Sequence, residues 1–224
     1  MRNTLRPQES AQKIAVVILA AGESKRFGSP KQLADWNGEP LLLSVIRKVE
    51  RCGMLPFIAL GAHKQQIYDN KSLSPYTGQI ISVDSWHNGI SASITASIEF
   101  LLARPVKGVL FILGDQPLID VKHLQRLLSL AQASPEQTFC TAYSQDKSKF
   151  GVPAYFPQAT FEKLLCLQAD QGAKWLLRSE QPTVIAIESN MSLEDALLDV
   201  DRPEDLIRAK SLYNRTRLFR VNGK

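Results

Sequence analysis

Ile14–Lys31 reads IAVVILAAGESKRFGSPK. Its first eight residues, Ile14 to Ala21, are apolar without a break and rich in β-branched side chains. A continuous run of that kind predicts a strand over Ile14–Ala20 that is covered on both faces, as in a parallel sheet. The run then breaks into a loop with Gly22 and Gly28 and three cations, Lys25, Arg26 and Lys31. In open α/β sheets, ligands sit beyond the carboxyl ends of the strands. This loop is therefore the first candidate site. The G-x-G-x-x-G dinucleotide fingerprint is excluded, because the glycines stand six apart, and a Walker A loop is excluded because no Lys directly follows Gly28. The loop still suits a polyphosphate: glycines admit close backbone approach, and cations neutralise the charge.

Outward from this stretch, short apolar runs alternate with amphipathic ones. Helices are predicted over Leu41–Arg51, His63–Asp69, Ser91–Ala103, Val121–Ala133, Gln158–Leu165 and Gln171–Arg178, with a last one from Pro203. Strands are predicted over Leu55–Leu60, Gln79–Val83, Val106–Leu113, Thr138–Ala142 and Thr183–Ile187. The alternation argues for an α/β sandwich with a mostly parallel sheet. Residues 13–213 read as one domain, between an N-terminal extension (1–12) and a basic tail (214–224).

Composition narrows the function classes. The chain has 224 residues, 44% apolar and 22% charged, which suits a soluble globular protein and excludes low-complexity architectures. No apolar run approaches the roughly 20 residues of a membrane span, and the polar N-terminus does not read as a secretory signal. Three scattered cysteines, Cys52, Cys140 and Cys166, argue for a reducing, cytoplasmic setting rather than a disulfide framework. The net charge of +5 is concentrated at one end: Leu206–Lys224 holds six cations and no acid. That reads as a solvated basic end and not as a nucleic-acid-binding face. No zinc spacing involves His63, His87 or His123, which read as structural or solvated; Cys140 and Cys166 read as buried apolar residues.

A second candidate lies at the end of Val109–Leu113, where Gly114-Asp115-Gln116-Pro117 follows a buried strand. A carboxylate there can hold Mg²⁺ or cap a turn. Leu19–Lys31 resembles the L-A-A-G-x-S-x-R-x-G-x-x-K signature of Mg²⁺-dependent nucleotidyltransferases, and most closely the molybdenum cofactor cytidylyltransferase family. Phe27 replaces that family's usual Met. Further matches are Gly114–Pro117 (G-D-Q-P), Trp86 through Ile94, Gly151-Val152-Pro153 (a strand), Ala169–Lys174 and Asp199–Leu206, so residues 14–206 are covered. Val83 stands in place of a common Asn, and Ala169 in place of Gly.

The resemblance implies a three-layer α/β/α Rossmann-like nucleotidyltransferase fold, similar to glycosyltransferase-A. It implies transfer of CMP from CTP to the terminal phosphate of molybdopterin, with loss of pyrophosphate and with Mg²⁺ or Mn²⁺ as cofactor. Asp115 is expected on the metal, with Asp201 as second ligand ahead of Asp199. Lys31 is expected at the α-phosphate and Arg26 at the β- and γ-phosphates. Nucleotide contacts are expected from Leu19, Ala20, Ala21, Gly22, Ser24, Gly61, Ser93 and Gly114. Acceptor contacts are expected from Gly151, Pro153, Asp170 and Gly172, and a recipient molybdoenzyme is an expected partner. In guanylyl relatives the first motif carries Gly-Gly; Ala21 would take up room that a purine needs. Two other readings remain at this stage: a nucleotidyltransferase for another NTP or for a sugar or polyol phosphate, and a non-catalytic cofactor-binding accessory protein. The presence of Lys31, Arg26 and Asp115 together argues against the last.

Overall fold

The computed structural model describes residues 14–167, 172–179, 182–186 and 192–222, with side chains described to position 216. The strands among the described residues are, in chain order, β1 (Ile14–Leu19), β2 (Asp35–Trp36), β3 (Glu39–Pro40), β4 (Phe57–Leu60), β5 (Ile80–Ser82), β6 (Gly108–Leu113), β7 (Phe139–Ala142), β8 (Phe150–Pro157) and β9 (Thr183–Ile185). The helices are α1 (Leu41–Glu50), α2 (Lys64–Tyr68), α3 (Ile90–Leu102), α4 (Val121–Ala133), α5 (Phe161–Leu165), α6 (Lys174–Ser179), α7 (Leu193–Ala196) and α8 (Pro203–Asn222).

Seven strands form one sheet in the order β5-β4-β1-β6-β8-β7-β9. The run β5-β4-β1-β6 is parallel, as is the β7–β9 pair; β8 is antiparallel to both its neighbours. The period of two divides β1 between two cores. Ile14, Val16 and Ile18 face one core, with side chains of α1 and α4. Ala15, Val17 and Leu19 face the other, with side chains of α3, α5 and α6. All six residues of β1 are buried, so the strand is held from both faces, at roughly 1.5–3 kcal/mol for each large aliphatic side chain. The strand is covered on both faces, as the unbroken apolar run predicts, and the layers are the three-layer α/β/α arrangement that the family resemblance implies.

A third, smaller core joins Trp36, Leu41, Leu118, Val200 and Ala209. It packs α8 against the β2–β3 hairpin. The boundary expected at 213/214 falls inside α8, which continues to Asn222. Position 187, placed in the last strand by sequence, lies outside the described residues; β9 ends at Ile185. Among the described residues no helix is long and apolar enough to cross a membrane.

Candidate active site

The carboxyl ends of β1, β4 and β6 lie side by side, and backbone hydrogen bonds join the loops that leave them. Ala20 N–H donates to the Ala59 carbonyl (3.0 Å), Ala62 N–H to the Ala21 carbonyl (3.1 Å), and Gly114 N–H to the Leu19 carbonyl (2.9 Å). Gly61 is placed behind this junction. A Cβ on it would meet the Ala21 carbonyl at 2.8 Å and overlap the Trp86 side chain. Only a glycine lets the β4 turn pass so close.

Two adjoining cavities open at this edge. The inner one, 230 Å³, is lined by Leu19, Ala20, Ala21, Ser93 and Gly114, with Asp115 at its wall. The outer one, 590 Å³, includes Ser24, Lys25, Arg26, His87 and Asp201. Gly22, Lys31, Trp86 and Gly89 border both. The sequence reads His87 as structural or solvated; the structure puts it on the cleft wall. Gly22 faces open space, with nothing within 4 Å of a Cβ built there. Gly28 (φ 79°) turns the chain back in the left-handed region.

Charge concentrates where the cavities meet. Lys31 Nζ donates to Asp115 Oδ2 at 2.7 Å and to Asp201 Oδ1 at 2.9 Å, and Arg26 Nη2 donates to Asp201 Oδ2 at 2.8 Å. Asp201 reaches the site because Val200 N–H donates to the Asp115 carbonyl (2.9 Å), which ties the end of the chain to the β6 loop. The Asp205 carboxylate accepts from the N–H groups of Asp201 and Arg202, fixing the start of α8. The Lys31 side chain is 14% exposed and that of Arg26 is 63% exposed. The Lys31 contacts are therefore the strong ones, while solvent screens the Arg26 pair. Burial by itself lowers the Lys31 pKa, but Asp115 and Asp201 more than offset this and hold it above its ordinary value. Burial likewise opposes ionisation of Asp201, and Lys31 and Arg26 outweigh it, leaving that pKa lowered. Asp199 accepts from Gln116 Nε2 at 2.9 Å. Desolvation of its carboxyl, followed by the charge of Asp115, pushes its pKa up to about 6.

The donor set fits a hard divalent cation. Asp115 Oδ1 is buried without a hydrogen-bond partner, and Asp201 stands across Lys31 from it. Among the described residues no group of three or more His, Cys, Asp or Glu is disposed to hold a metal. A carboxylate pair is what Mg²⁺ uses when phosphate oxygens and water complete its shell.

One residue that organises the loop escaped the sequence reading. Gln32, 3% exposed, donates from Nε2 to the carbonyls of Ala20 (2.8 Å) and Gly22 (3.2 Å) and accepts from Ser24 Oγ (3.4 Å). It holds those carbonyls on the protein side. A neutral polar residue after a lysine reads as solvated, so nothing in the sequence marked it. His63 stands at the N-cap of α2, one residue before the helix, and its Nε2–H donates to the Glu23 carbonyl at 2.8 Å.

The acceptor set is more dispersed. β8 runs antiparallel to β6, so its first residues, with Gly151 and Pro153, reach the same end of the sheet as Asp115. Neither lines the two cavities: a Cβ on Gly151 would press on the Tyr143 ring, and the Pro153 carbonyl accepts from Thr141 Oγ1. Gly172 packs beside Ile90, which borders the inner cavity. Asp170 lies outside the described residues. Cys140 is buried as expected, but Cys166 is exposed: it caps the end of α5 after Leu164 has turned into the core.

Residues 16–184 match the model of the MobA-like NTP transferase domain. The chain is 29% identical over 206 residues to the purine catabolism protein PucB of Bacillus subtilis, covering 86% of this chain and 94% of that protein. It is 25% identical over 199 residues to a probable molybdenum cofactor guanylyltransferase of Thermococcus sibiricus, covering 87% and 96%. The crystal structure of Rv0371C from Mycobacterium tuberculosis, a complex with manganese, superposes with a TM-score of 0.69 at 24% identity, covering 89% and 99%.

Proposed function

The chain belongs to the MobA-like NTP transferase family, and from that premise we propose that it transfers CMP from CTP to the terminal phosphate of molybdopterin. The single observation that carries a transfer chemistry is the cluster of Lys31, Asp115 and Asp201 where the two cavities meet.

A phosphate oxygen of the acceptor attacks the α-phosphorus of the nucleotide. A new P–O bond forms, the bond to the bridging α–β oxygen breaks, and pyrophosphate leaves with the electron pair. The acceptor is already an anion, so no protein base is required. The obstacle is charge: two anions meet, and the leaving group becomes more negative. Lys31 meets the α-phosphate and stabilises the developing charge. Arg26, at the open side of the cleft, meets the β- and γ-phosphates. Gly22 lets the backbone N–H groups approach the triphosphate. Asp115 and Asp201 would hold Mg²⁺ or Mn²⁺, which when bound supplies further neutralisation of the phosphates. The base enters the inner cavity, with Ser93 and the Ala20–Ala21 backbone around it. Gly172, and Asp170 near it in sequence, belong to the acceptor side, and a recipient molybdoenzyme takes the product.

CTP is favoured because Ala21 borders the inner cavity, and a glycine at that position would leave more room for a purine. The names of relatives such as the Thermococcus protein support GTP as the second reading. Pyrophosphate release with molybdopterin, Mg²⁺ and each of the four NTPs separates them. CTP alone is expected to turn over, with the rate falling at least about a thousandfold in Asp115→Ala, as for loss of a group that stabilises transition-state charge. Turnover with GTP alone overturns the base assignment. Turnover only with a sugar phosphate overturns the acceptor.

A further inference from the structure

The cation between Asp115 and Asp201 in the free protein is one of its own side chains. Two of the three donors of the Lys31 ammonium are committed to these carboxylates, at 2.7 and 2.9 Å, in a largely shielded position. Arg26 completes the arrangement on the other oxygen of Asp201. Two carboxylates and two cations leave the cluster formally neutral. The two cations the proposed reaction needs at phosphates are thus engaged by the two acids it needs for metal.

We infer that Lys31 is the resident counter-ion of the carboxylate pair and gives up that place only to a metal–triphosphate complex, so that the free enzyme excludes uncomplexed divalent metal. This deepens the nucleotidyltransferase reading and rests on it. A free metal ion gains two carboxylates but strips Lys31 of two charge-assisted hydrogen bonds. It also leaves that ammonium beside it as a like charge. A metal–triphosphate complex carries net negative charge and offers Lys31 and Arg26 new anionic partners, so both cations exchange one carboxylate for a phosphate. The lysine is built for the exchange. Its backbone N–H is anchored on Ser24 Oγ at 3.3 Å, while a lysine's flexible four-carbon stem can redirect the ammonium about that fixed point. Asp115 Oδ1, buried without a partner, is the acceptor that Lys31 leaves unserved.

The test is Mn²⁺ binding to the full-length nucleotide-free protein, read from the loss of the aqueous Mn²⁺ paramagnetic resonance signal. Lys31→Met, and Lys31→Gln as a second variant, are expected to bind Mn²⁺ more tightly than wild type by about tenfold or more, the scale of removing a like charge a few ångström from a divalent ion. Asp115→Asn added to Lys31→Met is expected to abolish the gain. With a non-cleavable α,β-methylene analogue of CTP present, the order reverses and wild type binds better. Mn²⁺ binding by both lysine variants that is no tighter than wild type overturns the inference. Failure of the underlying reading registers separately, as an absence of metal-dependent analogue binding to wild type.

Discussion

His123 shows how one buried residue sets a pH limit. It is 4% exposed. The Thr141 hydroxyl donates to the Pro153 carbonyl at 2.7 Å, so it accepts from His123 Nε2–H at 2.8 Å. The neutral ring therefore carries its proton on Nε2, and Nδ1 is left as a buried lone pair without a partner. A second proton would place a charge where nothing receives it. Burial, reinforced by the charge of Arg126, lowers the pKa from 6.5 to about 4. Between those values the unfolded chain binds more protons than the fold. Stability therefore falls as pH drops through the window, by roughly 3 kcal/mol in all for a lowering of this size. Urea unfolding of wild type and His123→Asn from pH 7 to pH 4 is expected to show a shallower decline in the variant. Parallel curves would sink this account of the histidine.

Elements explain which parts of the fold were legible. α4 was read at its observed bounds, because Leu124, Leu127 and Leu128 recur at helical spacing and Asp120 caps the helix by accepting from Lys122 N–H. β1 was legible because it is apolar on both faces. The β2–β3 hairpin was not, since two-residue strands have no period to detect. Its one signal was Asn37-Gly38, which takes positive φ at both residues (51° and 92°), as a two-residue hairpin turn requires. Strand order was also beyond a linear reading. The contact of Val200 with Asp115 joins residues far apart in sequence, and it helps bring Asp201 to the Asp115 carboxylate. Gly61 illustrates how turns build the pocket: expected among the nucleotide contacts, it packs against the Ala21 carbonyl and the Trp86 side chain. Gly61→Ala is expected to cost about 1–3 kcal/mol by overpacking. It is also expected to raise the nucleotide KM several-fold, with kcat less affected. Thermal unfolding and steady-state kinetics check both, and an unchanged KM would separate Gly61 from nucleotide binding.

At the scale of the whole molecule, the position of Asp201 depends on how the end of the chain is seated. α8 begins two residues after Asp201, at Pro203. Its Ala209 is fully buried in the third core against Trp36, Leu41 and Leu118. The Trp36 and Tyr213 rings meet edge to face at 5.6 Å, and Lys210 Nζ donates to Asp35 at 2.7 Å. The hairpin that sequence reading missed is thus the seat of the helix that places the second carboxylate. Trp36 is 4% exposed, so Trp36→Ala removes a large buried ring and is expected to cost about 3–5 kcal/mol. The same change loosens α8 at its first turns, so Asp201 should lose its fixed relation to Lys31 and Asp115. Activity per folded molecule is therefore expected to fall about tenfold or more, the penalty scale for small misplacement of a catalytic group. Measuring kcat/KM against the folded fraction, well below the variant's own Tm, distinguishes this from simple unfolding. Full activity per folded molecule would mean that Asp201 is held by the β6 loop through Val200 alone, and that the third core serves stability without positioning the site.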